Sequence, residues 1–189
     1  MRNWIVSVSG SPRMITSYEE LLDRLAKEQV KFVLAGGLAV CLNGFVRTTD
    51  DVDILIDNSP DNIERLTRCL ADFGEGHGAK LSTDDLTDEP GAIRIQESFD
   101  LDIFVRMNGK SLADLTPWIA YHALKTGTRI PFLKAEGLIE TKRGSAREKD
   151  RLDIGVLTDI CHAQQTDSSP SPPKDFNLDS VRDPSTRDR

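Results

Sequence analysis

Residues 34–56 read LAGGLAVCLNGFVRTTDDVDILI, and the fold turns on how this stretch divides into elements. Successive side chains on a strand point to opposite faces. In Asp51-Val52-Asp53-Ile54-Leu55-Ile56 the two carboxylates therefore share one face, while Val52, Ile54 and Ile56 share the other. The alternation predicts a strand with an apolar face in a core and an acidic face turned elsewhere. Upstream, Phe32-Val33-Leu34-Ala35 is a short apolar run and reads as a buried strand. Gly36-Gly37 follows it, and Leu38 to Leu42 begin a helix.

Working outward, Ser17-Tyr18-Glu19-Glu20 has the form of a capping box, with Ser17 as N-cap. Leu21, Leu22 and Leu25 then supply the apolar face of a first helix that runs to about Gln29. Ser59-Pro60 opens another helix, bearing Ile63, Leu66 and Leu70, because proline is well tolerated at the first helical position. Residues 74–91, rich in Gly and Asp, read as a loop. Ile93-Arg94-Ile95 and residues 99–105 predict a hairpin around Glu97-Ser98, and residues 119–124 and 129–133 a second hairpin around Thr126-Gly127. Two closing helices are expected at 135–144 and 147–162. The expected fold class is α/β, a small mixed β-sheet with flanking helices, since hairpins contribute antiparallel strands.

Composition sets the outer limits. With 24 Lys+Arg against 31 Asp+Glu, the net charge of −7 excludes a globally basic nucleic-acid coat but not a local basic patch. Three scattered cysteines, Cys41, Cys69 and Cys161, form no CxxC and argue against a disulfide framework or a cysteine zinc site. No apolar run is long enough for a transmembrane helix, and Trp4-Ile5-Val6 is too short for a signal-peptide core, so a cytoplasmic location is expected. Residues 163–189 are rich in Pro, Ser and Asp, with a single Phe, Leu and Val, and predict a disordered C-terminal tail. The domain organisation expected is an N-terminal extension at 1–16, a folded domain at 17–162 and the tail at 163–189.

Two carboxylates side by side repel, and a divalent cation removes the conflict. Mg²⁺ favours carboxylate oxygens and brings phosphate oxygens as further ligands, so Asp51 and Asp53 form a plausible metal pair for phosphoryl chemistry. Taken alone, the same pattern describes a solvated strand end. Gly36-Gly37, between strand and helix, suits close approach of a phosphate to the backbone, or merely a tight turn. Asp100-Leu101-Asp102-Ile103 supplies further carboxylates on one strand face, able to complete a two-metal site or to serve as a base.

Leu34-Ala35-Gly36-Gly37, then Arg47-Thr48-Thr49-Asp50, Asp51-Val52-Asp53-Ile54 and Leu101-Asp102-Ile103, in that order and with residues 38–50 between the glycines and the first aspartate, resemble the signature of the DNA polymerase β-like nucleotidyltransferase superfamily. The closing segments 137–142 and 147–153 are similar to the ends of small bacterial nucleotidyltransferase-like proteins, among them the AbiEii-like type IV toxin–antitoxin toxins. The resemblance implies a nucleotidyltransferase that uses an NTP as substrate and Mg²⁺, or Mn²⁺, as cofactor. Asp51, Asp53 and Asp102 would be the catalytic, metal-binding carboxylates, with Asp100 the other candidate for the third. Gly36, Gly37, Arg47, Thr49 and Lys142 would contact the triphosphate. Gly37 stands where many relatives carry serine, which removes one hydroxyl contact. The implied acceptor is RNA, tRNA in the toxin group, or a protein side chain, and an antitoxin or toxin partner is implied. The alternative is a catalytically silent binding or neutralising module. A small-molecule transferase resembling the aminoglycoside-modifying enzymes is disfavoured, because those usually carry a larger helical second domain. Lys149, Asp150 and Asp153 are expected in ion pairs or caps. His77 is expected in solvent, His122 in a structural role, and Trp4, Trp118 and Tyr121 in packing. The basic run at 142–151 offers either a phosphate-contacting patch or an ordinary solvated face.

Overall fold

The computed structural model describes residues 17–165 and 176–182; the expected extension at 1–16 lies outside them. The chain follows the order α1 (Tyr18–Lys27), β1 (Phe32–Leu34), α2 (Gly36–Leu42), β2 (Asp51–Ile56), α3 (Pro60–Leu70), β3 (Ala92–Gln96), β4 (Asp100–Phe104), α4 (Leu112–Leu115), β5 (Ile119–Ala123), β6 (Arg129–Leu133), α5 (Ala135–Lys142) and α6 (Glu148–Gln165). The six strands form one mixed sheet in the order β3-β4-β2-β1-β6-β5. Strands β2 and β4 are parallel, as are β1 and β6, and the remaining neighbours are antiparallel.

The core follows the apolar patterns. Tyr18, Leu21, Leu22 and Leu25 on α1 are fully buried, as are the whole of β1 and the Val52, Ile54 and Ile56 face of β2. Ser17 caps α1 by accepting the Glu20 N–H at 3.0 Å. The α2 helix starts at Gly36 itself, two residues earlier than its apolar run suggests. Asn62, fully buried at the start of α3, accepts the Lys31 N–H (2.7 Å) and donates to the carbonyls of Lys31 (2.9 Å) and Asp57 (2.8 Å). It thereby ties α3 to the ends of β1 and β2. The 74–91 loop contains two 3₁₀ turns, at His77–Lys80 and Thr83–Asp85. Among the described residues no helix is long and apolar enough to cross a membrane.

The C-terminal segment departs in part from the expected disordered tail at 163–189, of which 166–175 and 183–189 lie outside the described residues. Residues 163–165 prolong α6, and 176–182 dock on the body, ending in a 3₁₀ turn at Leu178–Val181. The segment's apolar residues, Phe176, Leu178 and Val181, fall within six positions and are all buried, so low average hydrophobicity conceals a local anchor. Asp179 accepts the Tyr18 N–H (2.7 Å), Val181 O accepts the Thr49 N–H (2.9 Å), and the Arg182 guanidinium lies 5.5 Å from the centroids of the Tyr18 and Phe99 rings. His122, expected in a structural role, is half-buried and bonds the backbone of Phe176; burial lowers its pKa.

Leu178→Ala should therefore cost about 2–4 kcal/mol of stability, the usual range for truncating a fully buried leucine. Deleting 166–189 should lower the thermal midpoint at least as far. Denaturant unfolding of the two variants checks this, and wild-type midpoints in both would show that 176–182 contributes no packing.

Candidate active site

The parallel register of β2 and β4 sets Asp51 opposite Asp100 and Asp53 opposite Asp102. Partners in register share a face, so four carboxylates crowd one side of these two strands. Oxygens of Asp51, Asp53 and Asp102 lie within 4.8 Å of one another. Asp102 is buried, while Asp51 and Asp53 are half-buried. Burial, and then the charges of Asp51 and Asp102, push the Asp53 pKa up from 3.8 to about 7; Lys142 and Lys149 pull in the opposite direction. Asp100 stays outside this group of three.

The two glycines explain how the carboxylates reach the start of α2. Gly36 has φ +55°, and a Cβ there would lie 1.7 Å from Asp53 Oδ2. A Cβ on Gly37 would lie 2.4 Å from Thr49 Oγ1. The glycines thus make room for the acidic strand and the residue that steadies it. Thr49, buried, donates to Asp51 Oδ1 at 2.8 Å, and its own position is held by Tyr18, whose hydroxyl donates to Thr49 O at 3.0 Å.

Arg47 and Lys142 join a second network. The buried Asp153 accepts from Arg47 Nη2 (3.2 Å) and Lys142 Nζ (3.0 Å), and Asp150 accepts from Lys142 Nζ (2.8 Å) and Ser145 Oγ (2.6 Å). Burial opposes the charge on Lys142, but its bonds to Asp150 and Asp153 outweigh that and raise its pKa. Asp150 and Asp153 thus take the ion-pair role expected of them. A cavity of about 460 Å³ opens beside Asp53, with Gly36, Phe104, Arg106, Lys142 and Arg147 among its walls.

One neighbour of the acids escapes sequence reasoning. Arg94 on β3 is the register partner of Asp102. It donates from Nε to Asp102 Oδ1 (2.7 Å), from Nη2 to Asp102 Oδ2 (2.6 Å) and from Nη1 to Asp100 Oδ2 (2.9 Å). The signal was the alternation Ile93-Arg94-Ile95, which puts a cation on the polar face of the hairpin; its partner depends on the turn length. The other single-residue leads lie apart from the carboxylates. His77 Nδ1 contacts Gln96 O and its N–H donates to Glu97 (2.9 Å), Trp118 packs on the core, and Arg129 stacks on Tyr121 at 5.2 Å.

No family model matches the sequence, and no curated protein matches it. Among solved structures, the lincomycin-bound crystal structure of the lincosamide antibiotic adenylyltransferase LnuA superposes with a TM-score of 0.53 at 22% identity, over 77% of this chain and 98% of that one. The chain has the fold of a nucleotidyltransferase. The likeness is one of fold and does not reach the type IV toxin group.

Two outcomes test the geometry. Gly36→Ala should destabilise by about 2 kcal/mol or more, combining left-handed backbone cost with displacement of Asp53. The second outcome concerns pH. Between pH 3.8 and about 7 the folded protein retains an Asp53 proton that the unfolded chain has lost. Stability of the metal-free protein therefore falls as pH rises through this window and levels off above it. Asp53→Asn should be more stable than wild type at pH 8, by on the order of 2 kcal/mol, with the difference vanishing near pH 4. Thermal midpoints across that range, in chelator, provide the measurement; equal midpoints at pH 8 would contradict the electrostatic reading.

Proposed function

We propose that this protein transfers a nucleoside monophosphate from a nucleoside triphosphate to an acceptor hydroxyl and releases pyrophosphate. The observation that carries the reading is the convergence of Asp51, Asp53 and Asp102, within 4.8 Å, in a fold shared with an adenylyltransferase. The donor set fits a divalent cation: three hard oxygen donors, partly desolvated, with so little compensation that Asp53 holds its proton toward neutrality. Mg²⁺ or Mn²⁺ held by these three carboxylates would supply neutralisation of the phosphate charge that builds during transfer.

The chain's own residues do the positioning. Thr49 fixes the rotamer of Asp51. Gly36, half-buried and without a side chain, lines the cavity beside Asp53, where phosphate oxygens can approach its backbone, and Gly37, buried against Thr49, lets the turn close tightly behind it. Lys142, fixed by Asp150 and Asp153, presents its charge at the wall of the adjoining cavity. Arg47, paired with Asp153, braces that network from the β2 side. The acceptor oxygen forms a bond to the α-phosphorus as the bond to the bridging oxygen of pyrophosphate breaks, and the hydroxyl proton passes to a carboxylate, for which Asp102 is the assignment.

A small hydroxyl-bearing acceptor is favoured by the likeness to an antibiotic adenylyltransferase. RNA, including tRNA, is the other acceptor class, and with it a toxin–antitoxin role. The 142–151 patch gives RNA less support than its charge suggests, since Lys142 is tied to Asp150 and Asp153 and Arg143 to Glu140.

Incubation with each α-labelled NTP and Mg²⁺, in the presence of either total RNA or a panel of small hydroxylic compounds, tests the reading. Label should enter one acceptor class, and Asp51→Asn or Asp53→Asn should lower the rate at least about a hundredfold while the protein stays folded. Mg²⁺ with NTP should raise the thermal midpoint more than either alone. A wild-type protein that labels nothing and shows no such shift is instead the silent module.

A further inference from the structure

Arg94 stands where a metal-dependent site has an evident use for it, and nothing in the proposed reaction yet employs it. Across three adjacent strands, Arg94, Asp102 and Asp53 form a single row set by register. The guanidinium engages both oxygens of Asp102 and one of Asp100, so three of its donors are spent on the acidic face. Asp102 is buried, whereas the Arg94 side chain is half exposed, on a strand at the edge of the sheet. Among the described residues it is the cation in hydrogen-bond contact with these carboxylates, because Lys142 is held by Asp150 and Asp153.

We propose that Arg94 is a built-in counter-ion: it holds Asp102 in the metal-free protein and is exchanged for the divalent cation when the site loads. The inference rests on the nucleotidyl-transfer reading of that site. Its physical basis is competition. The bidentate fork engages both oxygens of Asp102, including the one that Asp102 offers toward Asp51 and Asp53, and a divalent ion among the three would repel a guanidinium at contact distance. The buried partner stays with the sheet and the half-exposed one has solvent to move into, so Arg94 is the group that leaves. The device keeps a buried carboxylate paired when no metal is present. It also makes loading weaker than three carboxylates alone would allow. Arg94 is thus a positioning residue that sets a threshold for metal occupancy. A purely structural role predicts the opposite, since loss of the brace on Asp102 would weaken metal binding. The β3–β4 hairpin, paired through five registered positions, does not depend on this side chain for its pairing.

Direct titration of the full chain with Mn²⁺, without nucleotide, separates the two. Arg94→Gln should bind Mn²⁺ roughly tenfold tighter than wild type, and Arg94→Lys, which keeps the charge but loses the fork, should fall between. In the Asp102→Asn background, Arg94→Gln should have no such effect. If Arg94→Gln does not fold, the Lys variant carries the same sign. A second readout needs no mutation: the Arg94 Nε–H should exchange faster at saturating Mg²⁺ than in chelator. Equal or weaker Mn²⁺ binding in a folded Arg94 variant, with wild type binding normally, overturns the exchange and leaves the proposed function standing. Absence of Mn²⁺ binding in wild type and variants alike overturns both.

Discussion

Like charges forced together on neighbouring strands are the constraint to which the rest of this structure answers. Parallel pairing of β2 and β4 in one register puts Asp53 against Asp102, and the two-residue period of the strands adds Asp51 and Asp100 to the same face. Repulsion alone would splay these strands. What holds them is the opposite face, where Val52, Ile54, Leu101 and Ile103 are buried or nearly so. A hydrophobic core on one side of a sheet thus sustains an electrostatic conflict on the other, and the folded state carries that conflict as a raised proton affinity at Asp53.

The two cations near the acids differ in mobility for reasons visible in their surroundings. Lys142 is half-buried between two carboxylates, one of them almost fully buried, and is held by short bonds from a helix that packs on its neighbour. Moving it would break both bonds and leave the buried Asp153 to Arg47. Arg94 sits at the sheet edge with half its side chain in water, and its departure costs only contacts that another cation can replace. Arg47 belongs with Lys142, since both converge on Asp153 and together link the loop before β2 to α6. The site has a fixed positive wall and a removable one.

Much of the architecture was legible because strand alternation and helix periodicity are local properties. The Asp51-Val52-Asp53-Ile54 pattern, the apolar positions of α1 and α3 and both hairpins follow from period and turn residues. Arg94 was not legible as a partner of Asp102 because hairpin register depends on turn length. A two-residue turn at Glu97-Ser98 would oppose Arg94 to Leu101; inclusion of Phe99, whose carbonyl accepts the Glu97 N–H, shifts it to Asp102. The partners of Lys142 and Arg47 were hidden likewise, since Asp153 is remote in sequence and its burial arises from helix packing. The docked segment 176–182 was missed for a different reason. Composition averaged over a long tail dilutes Phe176, Leu178 and Val181, whereas docking depends on their clustering.

That segment matters to the site as well as to the core. Val181 O accepts the Thr49 N–H, Tyr18 OH donates to Thr49 O, and Thr49 Oγ1 donates to Asp51. Both backbone groups and the side chain of Thr49 are therefore committed, two of them to elements far away in the chain. Arg182 continues the line by lying over Tyr18 and Phe99, whose rings meet edge to face at 4.9 Å. The buried threonine aims its hydroxyl at Asp51, and the same oxygen and its Cβ abut Gly37, so the side chain is confined on both sides. Precision at the first carboxylate is thus built from the C-terminal segment inward. A core residue, Tyr18, transmits it, and the glycine at the start of α2 leaves the space in which it acts.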